Sequence, residues 1–327
     1  MSLARRSVAV ALWLALLVCP ALSSAQAIIN TSRSNIKNIA LQLDGAKDTT
    51  DLLSVEGGQL VPDITLINTA PFQRYRQIGK PKFEDFTITL DADIGTSLAD
   101  WVSETLAGKA RTRSGHMIVF DDKAGIVQRL RFYNALITEV SLPALDGSAK
   151  DSSFLMIAIS PTTAESAGAF PAGTRFKSGG VSVKQKQWHC ANFRIRFDGA
   201  AGFDVAEGKK GLNAVNVKQA RQIATSEGPR YQLDDPRKLD SPDLEFTSER
   251  WATEPYAEDV QRMLQGIEID HTVSVDYLND AGDVLFTLRR LMAVYKTTLE
   301  TGAPGADVVR VSMVGNADPI TIIWAKK

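Results

Sequence analysis

The sequence predicts a mainly β protein composed of two similar antiparallel β domains with one short helix each. Three observations support this fold class. Short segments of alternating apolar and polar residues recur between turn signals, each half has one stretch with helical spacing, and the elements of the first half recur in order 154 to 158 residues later. The 327 residues exceed twice the usual domain length of ~150 residues, as two domains require.

The composition is that of an ordinary globular protein. Hydrophobic residues make up 44% and charged residues 23%, and 37 Lys and Arg against 38 Asp and Glu leave a net charge of −1. This balance excludes a disordered charged chain, and it excludes the basic surface of a general nucleic-acid binder.

The first 27 residues have the pattern of a cleaved secretory signal peptide. Arg5 and Arg6 form a basic start, Val8–Val18 is an apolar run too short to span a membrane, and Ala25 and Ala27 form an A-x-A cleavage site. We therefore expect export to the periplasm or the cell exterior, with no integral membrane segment after cleavage. The mature chain would have 300 residues and, without the two leader arginines, a net charge of −3.

Cleavage leaves Cys190 as the one cysteine of the mature chain, so an internal disulfide is impossible. A small, half-buried thiol is the favoured interpretation of Cys190, and a disulfide between two chains is the alternative.

The elements of the first half follow one another at regular intervals. They are a strand closing on the turn Asp44-Gly45, a strand at Phe86–Leu90, a helix at Ser97–Gly108 with Leu98, Trp101, Val102 and Leu106 on one face, a strand at Met117–Phe120, a turn at Asp121–Gly125, a long strand at Ile126–Val140 and a strand at Phe154–Ile159.

The second half repeats this order. It has a strand closing on Asp198-Gly199, a helix at Pro255–Gly266 with Tyr256, Val260, Met263 and Leu264 directed inward, a strand at Val273–Tyr277, a turn at Asn279–Gly282, a long strand at Val284–Tyr295 and a strand at Val308–Met313. We interpret the repetition as a tandem duplication, with a first β-barrel-like domain at 28–160, a linker at 161–187 and a second such domain at 188–327. Both halves also contain a long polar loop, Glu56–Glu84 and Val205–Asp240.

An ordered series of short motifs runs from Asn38 to Ser160. It comprises Ala40–Gly45, Leu53–Gly58, Phe86–Leu90 followed by Leu98–Trp101, and Arg131–Ala135 with its aromatic-x-Asn-Ala pattern. Together these motifs resemble the phage tail tube proteins, whose fold is shared by the inner-tube proteins of contractile injection and type VI secretion systems. The second half follows the layout more loosely, because Leu291-Met292 stand where the Asn-Ala pair would be.

The resemblance implies a β-barrel with a flanking helix that joins edge to edge into six-fold rings, which stack into a hollow tube. For a tandem copy it implies three chains in each pseudo-six-fold ring, and long loops that reach a neighbouring subunit or ring. Members of this family are normally single domains without a signal peptide. The leader therefore predicts an extracytoplasmic tube, filament or envelope component.

No catalytic, cofactor or metal site is predicted. The motifs H-E-x-x-H, G-x-S-x-G and C-x-x-C do not occur. In Trp188-His189-Cys190 the adjacent His and Cys would point to opposite faces of a strand, so we predict Trp188 as a core anchor and not a thiolate–imidazole pair. His116 and His271 lack a second ligand at metal spacing, and they are expected to be solvated or locally hydrogen-bonded.

Two pairs of arginines stand at comparable places in the two halves. Arg129 and Arg131 share one face of a predicted strand, and Arg289 and Arg290 occur in its counterpart. A solvated outer face and a ring lumen or subunit contact both fit this pattern.

The favoured function is that of an exported, non-enzymatic structural protein that assembles with itself into rings or a hollow tube. The alternative is an extracytoplasmic adhesion or binding module that keeps the fold without polymerising. An exported β-rich hydrolase comes third.

Overall fold

The computed structural model describes the chain in sixteen segments. They are residues 39–70, 73–109, 111–120, 125–166, 188–198, 204–205, 216–219, 224–225, 228–229, 239–240, 243–249, 261–262, 264–267, 270–301, 307–315 and 319–325. The predicted signal peptide with Ala25 and Ala27, most of the predicted linker and most of the helix predicted at Pro255–Gly266 lie outside them. Within these segments, no helix has the length and apolar character needed to cross a membrane.

The first half contains β1 (Ile39–Leu43), β2 (Thr50–Leu52), β3 (Ser54–Gly57), β4 (Leu60–Ala70), β5 (Gln73–Phe83), β6 (Phe86–Leu90), α1 (Thr96–Leu106), β7 (Arg113–Phe120), β8 (Ile126–Ser141), β9 (Leu155–Ser160) and β10 (Thr163–Ser166). The second half contains β11 (Phe193–Asp198), β12 (Asp204–Val205), β13 (Asn216–Gln219), β14 (Ala224–Thr225), β15 (Gly228–Pro229), β16 (Leu239–Asp240), β17 (Leu244–Glu249), β18 (His271–Leu278), β19 (Val284–Thr301), β20 (Asp307–Gly315) and β21 (Thr321–Trp324). The prediction of a mainly β, antiparallel fold is confirmed.

The first large sheet has two end strands that the chain itself links. Its strand order is β2-β1-β7-β8-β9-β6-β3, and the strands at its ends, β2 and β3, are consecutive in the chain. Leu53 alone separates them, and its N–H donates a hydrogen bond to the Thr89 carbonyl of β6. The covalent chain therefore links the two edges, but no ladder of hydrogen bonds is seen between the described strands β2 and β3, so this sheet is not closed into the predicted β-barrel.

The second large sheet has the order β12-β11-β18-β19-β20-β17. These six strands match β2, β1, β7, β8, β9 and β6 of the first sheet in order, and most of their residue pairs correspond. Corresponding pairs are Leu41–Met117 and Ile195–Val275, His116–Arg131 and Ser274–Arg289, Ile88–Ile157 and Phe246–Val311, and Val140–Ile157 and Thr297–Val311. Two β-bulges also correspond. The bulge between Val119 and Phe120 matches the one between Tyr277 and Leu278. The bulge between Ile137 and Glu139 matches the one between Val294 and Lys296.

One residue in the long strand breaks this correspondence. Between the pairs Gly115–Phe132 and Arg113–Ala135, two residues of β8 oppose one residue of β7. Asn134 is one of the two and has a φ of 46°, the left-handed conformation that Asn tolerates better than most residues. In the second sheet β18 and β19 pair through this region without a bulge. This explains why the second half has no counterpart of the Asn-Ala motif.

The chain leaves a helical turn in the same way at two places. Gly108 has a φ of 72°, and the N–H of Lys109 donates to the Glu104 carbonyl. Gly266 has a φ of 79°, and the N–H of Ile267 donates to the Arg262 carbonyl. Both are glycine caps in which the backbone turns left-handed after the last helical turn, and each stands at the end of a predicted helix.

The hydrophobic core continues through both halves. Trp101 of α1 and Trp188 are each 0% exposed, and the ring centroid of Trp188 lies 5.5 Å from that of Tyr277 and 5.6 Å from that of Phe286. The prediction that Trp188 anchors a core is confirmed.

Four expectations need correction. The predicted loop Val205–Asp240 contains strand β13, which pairs with β16 and with β8. The predicted loop Glu56–Glu84 contains a two-stranded hairpin of β4 and β5, each 11 residues long. The predicted linker begins with a strand, because β10 pairs with β8. Leu264, expected to point inward, is 77% exposed.

Candidate functional site

A segment of the second half completes the first sheet. Strand β13 pairs antiparallel with the end of β8, where Asn216 lies opposite Ser141, Val217 opposite Val140 and Lys218 opposite Glu139. This is the edge of β8 that pairs with β7 earlier in the strand. The pairing with β7 reaches Ala135, and β13 pairs farther along. The second half thus contributes a strand to the first, which is the arrangement known as β-augmentation.

The corresponding edge of β19 receives no strand from the described residues. Strand β18 pairs with β19 only as far as Met292, while β20 occupies the opposite edge from Met292 to Thr301. Lys296, Thr297 and Thr298 hold the places of Glu139, Val140 and Ser141, because Thr297 and Val140 pair with the corresponding residues Val311 and Ile157. An open strand edge of this kind is a template for pairing with another chain.

The hairpin of β4 and β5, which we call the arm, forms a sheet of its own. Apolar side chains of the arm are exposed: Ile64 by 55%, Leu66 by 58%, Tyr75 by 57% and Ile78 by 72%. A two-stranded hairpin is marginally stable in water, and exposed apolar side chains of this size are typical of a surface that binds a partner.

A second contact between the halves involves α1. The N–H of Ile320 donates to the Leu106 carbonyl at the end of α1, and the indole N–H of Trp324 donates to the Ser103 hydroxyl at 3.1 Å. Strand β21, which contains Trp324, pairs with β19. Leu106 is 0% exposed as a result of its position in this contact and in the core.

Leu264 corresponds to Leu106, since each lies two residues before its glycine cap. Leu264 is 77% exposed and Ile267, just after the cap, is 43% exposed. The apolar end of the second helix therefore lacks, among the described residues, the cover that β21 and Ile320 give to α1.

Arg129 and Arg131 belong to a polar cluster on the face of the first sheet opposite the core. Arg129 Nε donates to His116 Nδ1 at 2.9 Å, and His116 Nε2 lies 3.4 Å from an Asp44 carboxylate oxygen. Arg131 Nη2 lies 3.2 Å from the other Asp44 oxygen, and its guanidinium lies 4.9 Å from the centre of the Tyr133 ring. His116 is locally hydrogen-bonded, as predicted.

The His116 ring is neutral at physiological pH. Burial lowers its pKa to about 4, the Arg129 and Arg131 guanidinium groups act in the same direction, and Asp44 opposes them. Because Nδ1 accepts the Arg129 hydrogen bond, the ring proton is on Nε2, which faces Asp44.

Arg289 and Arg290 point to opposite faces of β19. Arg289 corresponds to Arg131 and is exposed on the same side as the polar cluster. Arg290 holds the place of the core residue Phe132 and is half-buried in a small cavity with Asp243, and burial lowers the pKa of its guanidinium while Asp243 opposes the shift. The four predicted arginines are thus not brought together in one site.

A buried carboxylate, Asp276, was missed by the sequence interpretation. Asp276 is 0% exposed and accepts hydrogen bonds from Arg194, from Arg196 at 2.8 and 2.9 Å, and from the Thr287 hydroxyl at 2.7 Å. Burial raises its pKa, but the hydrogen bonds from Arg196, Thr287 and Arg194 outweigh it, so the pKa lies below its usual value. The alternation Arg194-Ile195-Arg196 was the available signal, because it places both guanidinium groups on one strand face.

His189 and Cys190 have separate partners. His189 Nδ1 lies 2.7 Å from an Asp280 oxygen, whereas Cys190 Sγ is half-buried and lies 2.8 Å from the Ser153 hydroxyl. This agrees with the favoured interpretation of Cys190 as a packed thiol. Among the described residues, no three His, Cys, Asp or Glu side chains group closely enough to hold a metal ion.

Comparisons with protein-family models and with curated proteins each found no match. Solved structures are similar in fold to part of the chain. A chain of an extracellular contractile injection system sheath-tube complex is 13% identical, with 42% of this chain and 94% of the other covered and a TM-score of 0.34. A chain of the anti-feeding prophage baseplate is 8% identical, with 43% and 98% covered and a TM-score of 0.35.

The protein Hcp1 from Flavobacterium johnsoniae is 15% identical, with 40% of this chain and 96% of that chain covered and a TM-score of 0.28.

Proposed function

We propose that this chain is an exported, non-enzymatic structural protein whose two tandem domains arose by duplication and which assembles with itself into rings or a tube. The observation that carries the proposal is the match in register between the two sheets, which extends through five strands and two β-bulges. Because the two halves are equivalent, the contact that they make within one chain can be repeated between chains.

The proposed assembly is a ring of three chains, in which six similar but unequal domains alternate. An edge of β19 to which no described strand pairs, and the exposed apolar side chains of the arm, support self-association. Rings of this kind can stack into a tube. Export is supported by the leader pattern at 1–27.

The face that carries Arg129, Arg131 and Arg289 is the proposed wall of the lumen or of a subunit contact. On this face Asp276, Arg194 and Arg196 in the second half and Asp44, His116 and Arg129 in the first form closed polar networks. Such networks hold a polar surface in one conformation, as a pore wall requires.

The test is the oligomeric state of the signal-free protein beginning at Ile28. Multi-angle light scattering should give three times the chain mass or a multiple of it, and negative-stain electron micrographs should show rings. A single species of one chain mass, with no rings at any concentration up to the solubility limit, would favour the monomeric binding module and refute the proposal.

A further inference from the structure

We propose that two copies of this chain join head to tail through a contact that repeats the one between its own halves. In this contact the base of the arm, Gln59–Val61, extends β19 of a second copy at Lys296–Thr298. The helix end bearing Leu264 in that second copy packs beside β10 of the first. The inference rests on the proposed self-assembly and specifies its interface.

The contact within the chain is the template. The second half extends the first sheet through β13, which also pairs with β16, so that Lys218 lies opposite Asp240 and Gln219 opposite Leu239. In return, the first half places the end of α1 against β21 and Ile320 of the second half. Each half therefore gives one element to the other and receives one.

The arm is the first-half counterpart of β13 and β16. In it Val61 lies opposite Lys82 and Pro62 opposite Pro81. Ile88 of β6 and Phe246 of β17 are corresponding residues. Lys82 precedes Ile88 by as many positions as Asp240 precedes Phe246, so Lys82 corresponds to Asp240 and Pro81 to Leu239. Val61 then corresponds to Lys218, Leu60 to Val217 and Gln59 to Asn216.

Transferring the pairing of β13 with β8 to these counterparts fixes the register of the proposed contact. Val217 pairs with Val140, whose counterpart in β19 is Thr297, so Leu60 should lie opposite Thr297 of the second copy. Gln59 should lie opposite Thr298, and Val61 opposite Lys296. A slip by one residue would reverse the face of every side chain.

The same contact accounts for the uncovered helix end. In the chain β21 runs beside the first part of β19 and covers the end of α1. Its counterpart is β10, which runs beside the same part of β8. In the proposed contact, β10 of one copy covers the helix end bearing Leu264 in the next copy. Within the chain, β21 covers Leu106 in the same way.

The interface uses different surfaces on the two copies, so it is heterologous and repeats in one direction. Because each chain has two domains, contacts within a chain alternate with contacts between chains along the assembly. A closed ring then follows if the rotation per domain divides a full turn, and an open filament follows if it does not.

Disulfide crosslinking tests the register in the mature protein with Cys190→Ser. The double variant Leu60→Cys with Thr297→Cys should form disulfide-linked multimers under mild oxidation, because directly opposed residues in paired strands lie within reach of a disulfide. The matched control Leu60→Cys with Thr298→Cys should not, since Thr298 points to the other face. Val140→Cys with Val217→Cys should crosslink within one chain and report on the template.

A second test uses the helix end. Leu264→Glu should abolish multimers in light scattering while leaving the thermal unfolding of the monomer unchanged, because Leu264 is exposed within the chain. Gln265→Glu, at an exposed neighbour, should assemble as the wild type does.

The outcomes separate this inference from the proposed function. Rings that form without the Leu60–Thr297 crosslink, or with equal crosslinking at Thr298, would overturn the interface and leave self-assembly standing. Normal assembly of Leu264→Glu would also overturn it. A protein that stays monomeric in every assay would overturn both.

Discussion

The indole nitrogen of Trp324 in the last strand lies 3.1 Å from the hydroxyl oxygen of Ser103 in α1 and donates a hydrogen bond across 221 positions of the chain. The Trp324 ring also packs on Phe286, with 5.1 Å between ring centroids. Since Ser103 belongs to the first half and Trp324 to the second, this pair couples the two halves.

Replacing Trp324 by Phe keeps an aromatic ring beside Phe286 and removes the indole donor. We expect the free energy of unfolding in urea to fall by about 1–2 kcal/mol, the worth of one hydrogen bond and some packing. Combined with Ser103→Ala, the loss should be smaller than the sum of the two single losses by ~0.5–1 kcal/mol. Strict additivity would show that the two side chains do not interact.

His116 should make the protein less stable in acid. Its folded pKa of about 4 lies below the unfolded value of ~6.5, so the unfolded state binds the proton first and stability falls as the pH drops from 6.5 toward 4. Between pH 7 and pH 5, His116 should lower the free energy of unfolding by about 2 kcal/mol. Urea unfolding of wild type and His116→Gln at these two pH values measures it, and equal losses in both proteins would contradict the assignment.

The effect of Asp91 on stability should have the opposite dependence on pH. Burial raises its pKa to about 6, an effect increased by Asp93 and opposed by the hydrogen bond from the Ala92 N–H, so the ionised carboxylate destabilises the fold at neutral pH. Asp91→Asn keeps an oxygen for that N–H and should raise the free energy of unfolding by about 2 kcal/mol at pH 7, with the gain lost near pH 4. The exposed control Asp100→Asn should stay within about 0.5 kcal/mol of wild type at both pH values.

Gly115 should not tolerate a side chain. A Cβ at this position would lie 2.5 Å from the Gln42 carbonyl oxygen and 2.8 Å from Cζ of Phe132, so Gly115→Ala forces β1 and β7 apart. We expect a loss of about 2–3 kcal/mol in thermal or urea unfolding. Gly45→Ala is the comparison, because Gly45 has a φ of 78° but no atom within 4 Å of an added Cβ. It should lose only about 1 kcal/mol, and a similar loss at both sites would refute the steric argument.

The sequence predicted the elements whose signals are local. Alternating apolar residues located β7, β8, β18 and β19, and helical spacing with a glycine cap located α1, because periodicity and turn residues reflect the nearest neighbours along the chain. The arm was missed for the same reason. Pro62 and Pro81 interrupt its strands, and its exposed apolar side chains do not form the half-buried alternation by which a strand is recognised.

Features that depend on distant partners could not be predicted. Helical spacing identified the apolar side of the second helix, but it does not say what covers that side, and Leu264 is exposed. The pairing around Asp276 depends on guanidinium groups that lie 80 and 82 positions earlier in the chain. Such contacts follow from register, which only the folded sheet reveals.

Leu53 is the covalent link between the two edge strands of the first sheet, because it alone separates β2 from β3. Its side chain is 38% exposed, so this link lies at the surface. After a protease cut at Leu53, β2 would depend on its pairing with β1 and β3 on its pairing with β6. The proximity of the two edges therefore depends on the continuity of the chain at one residue.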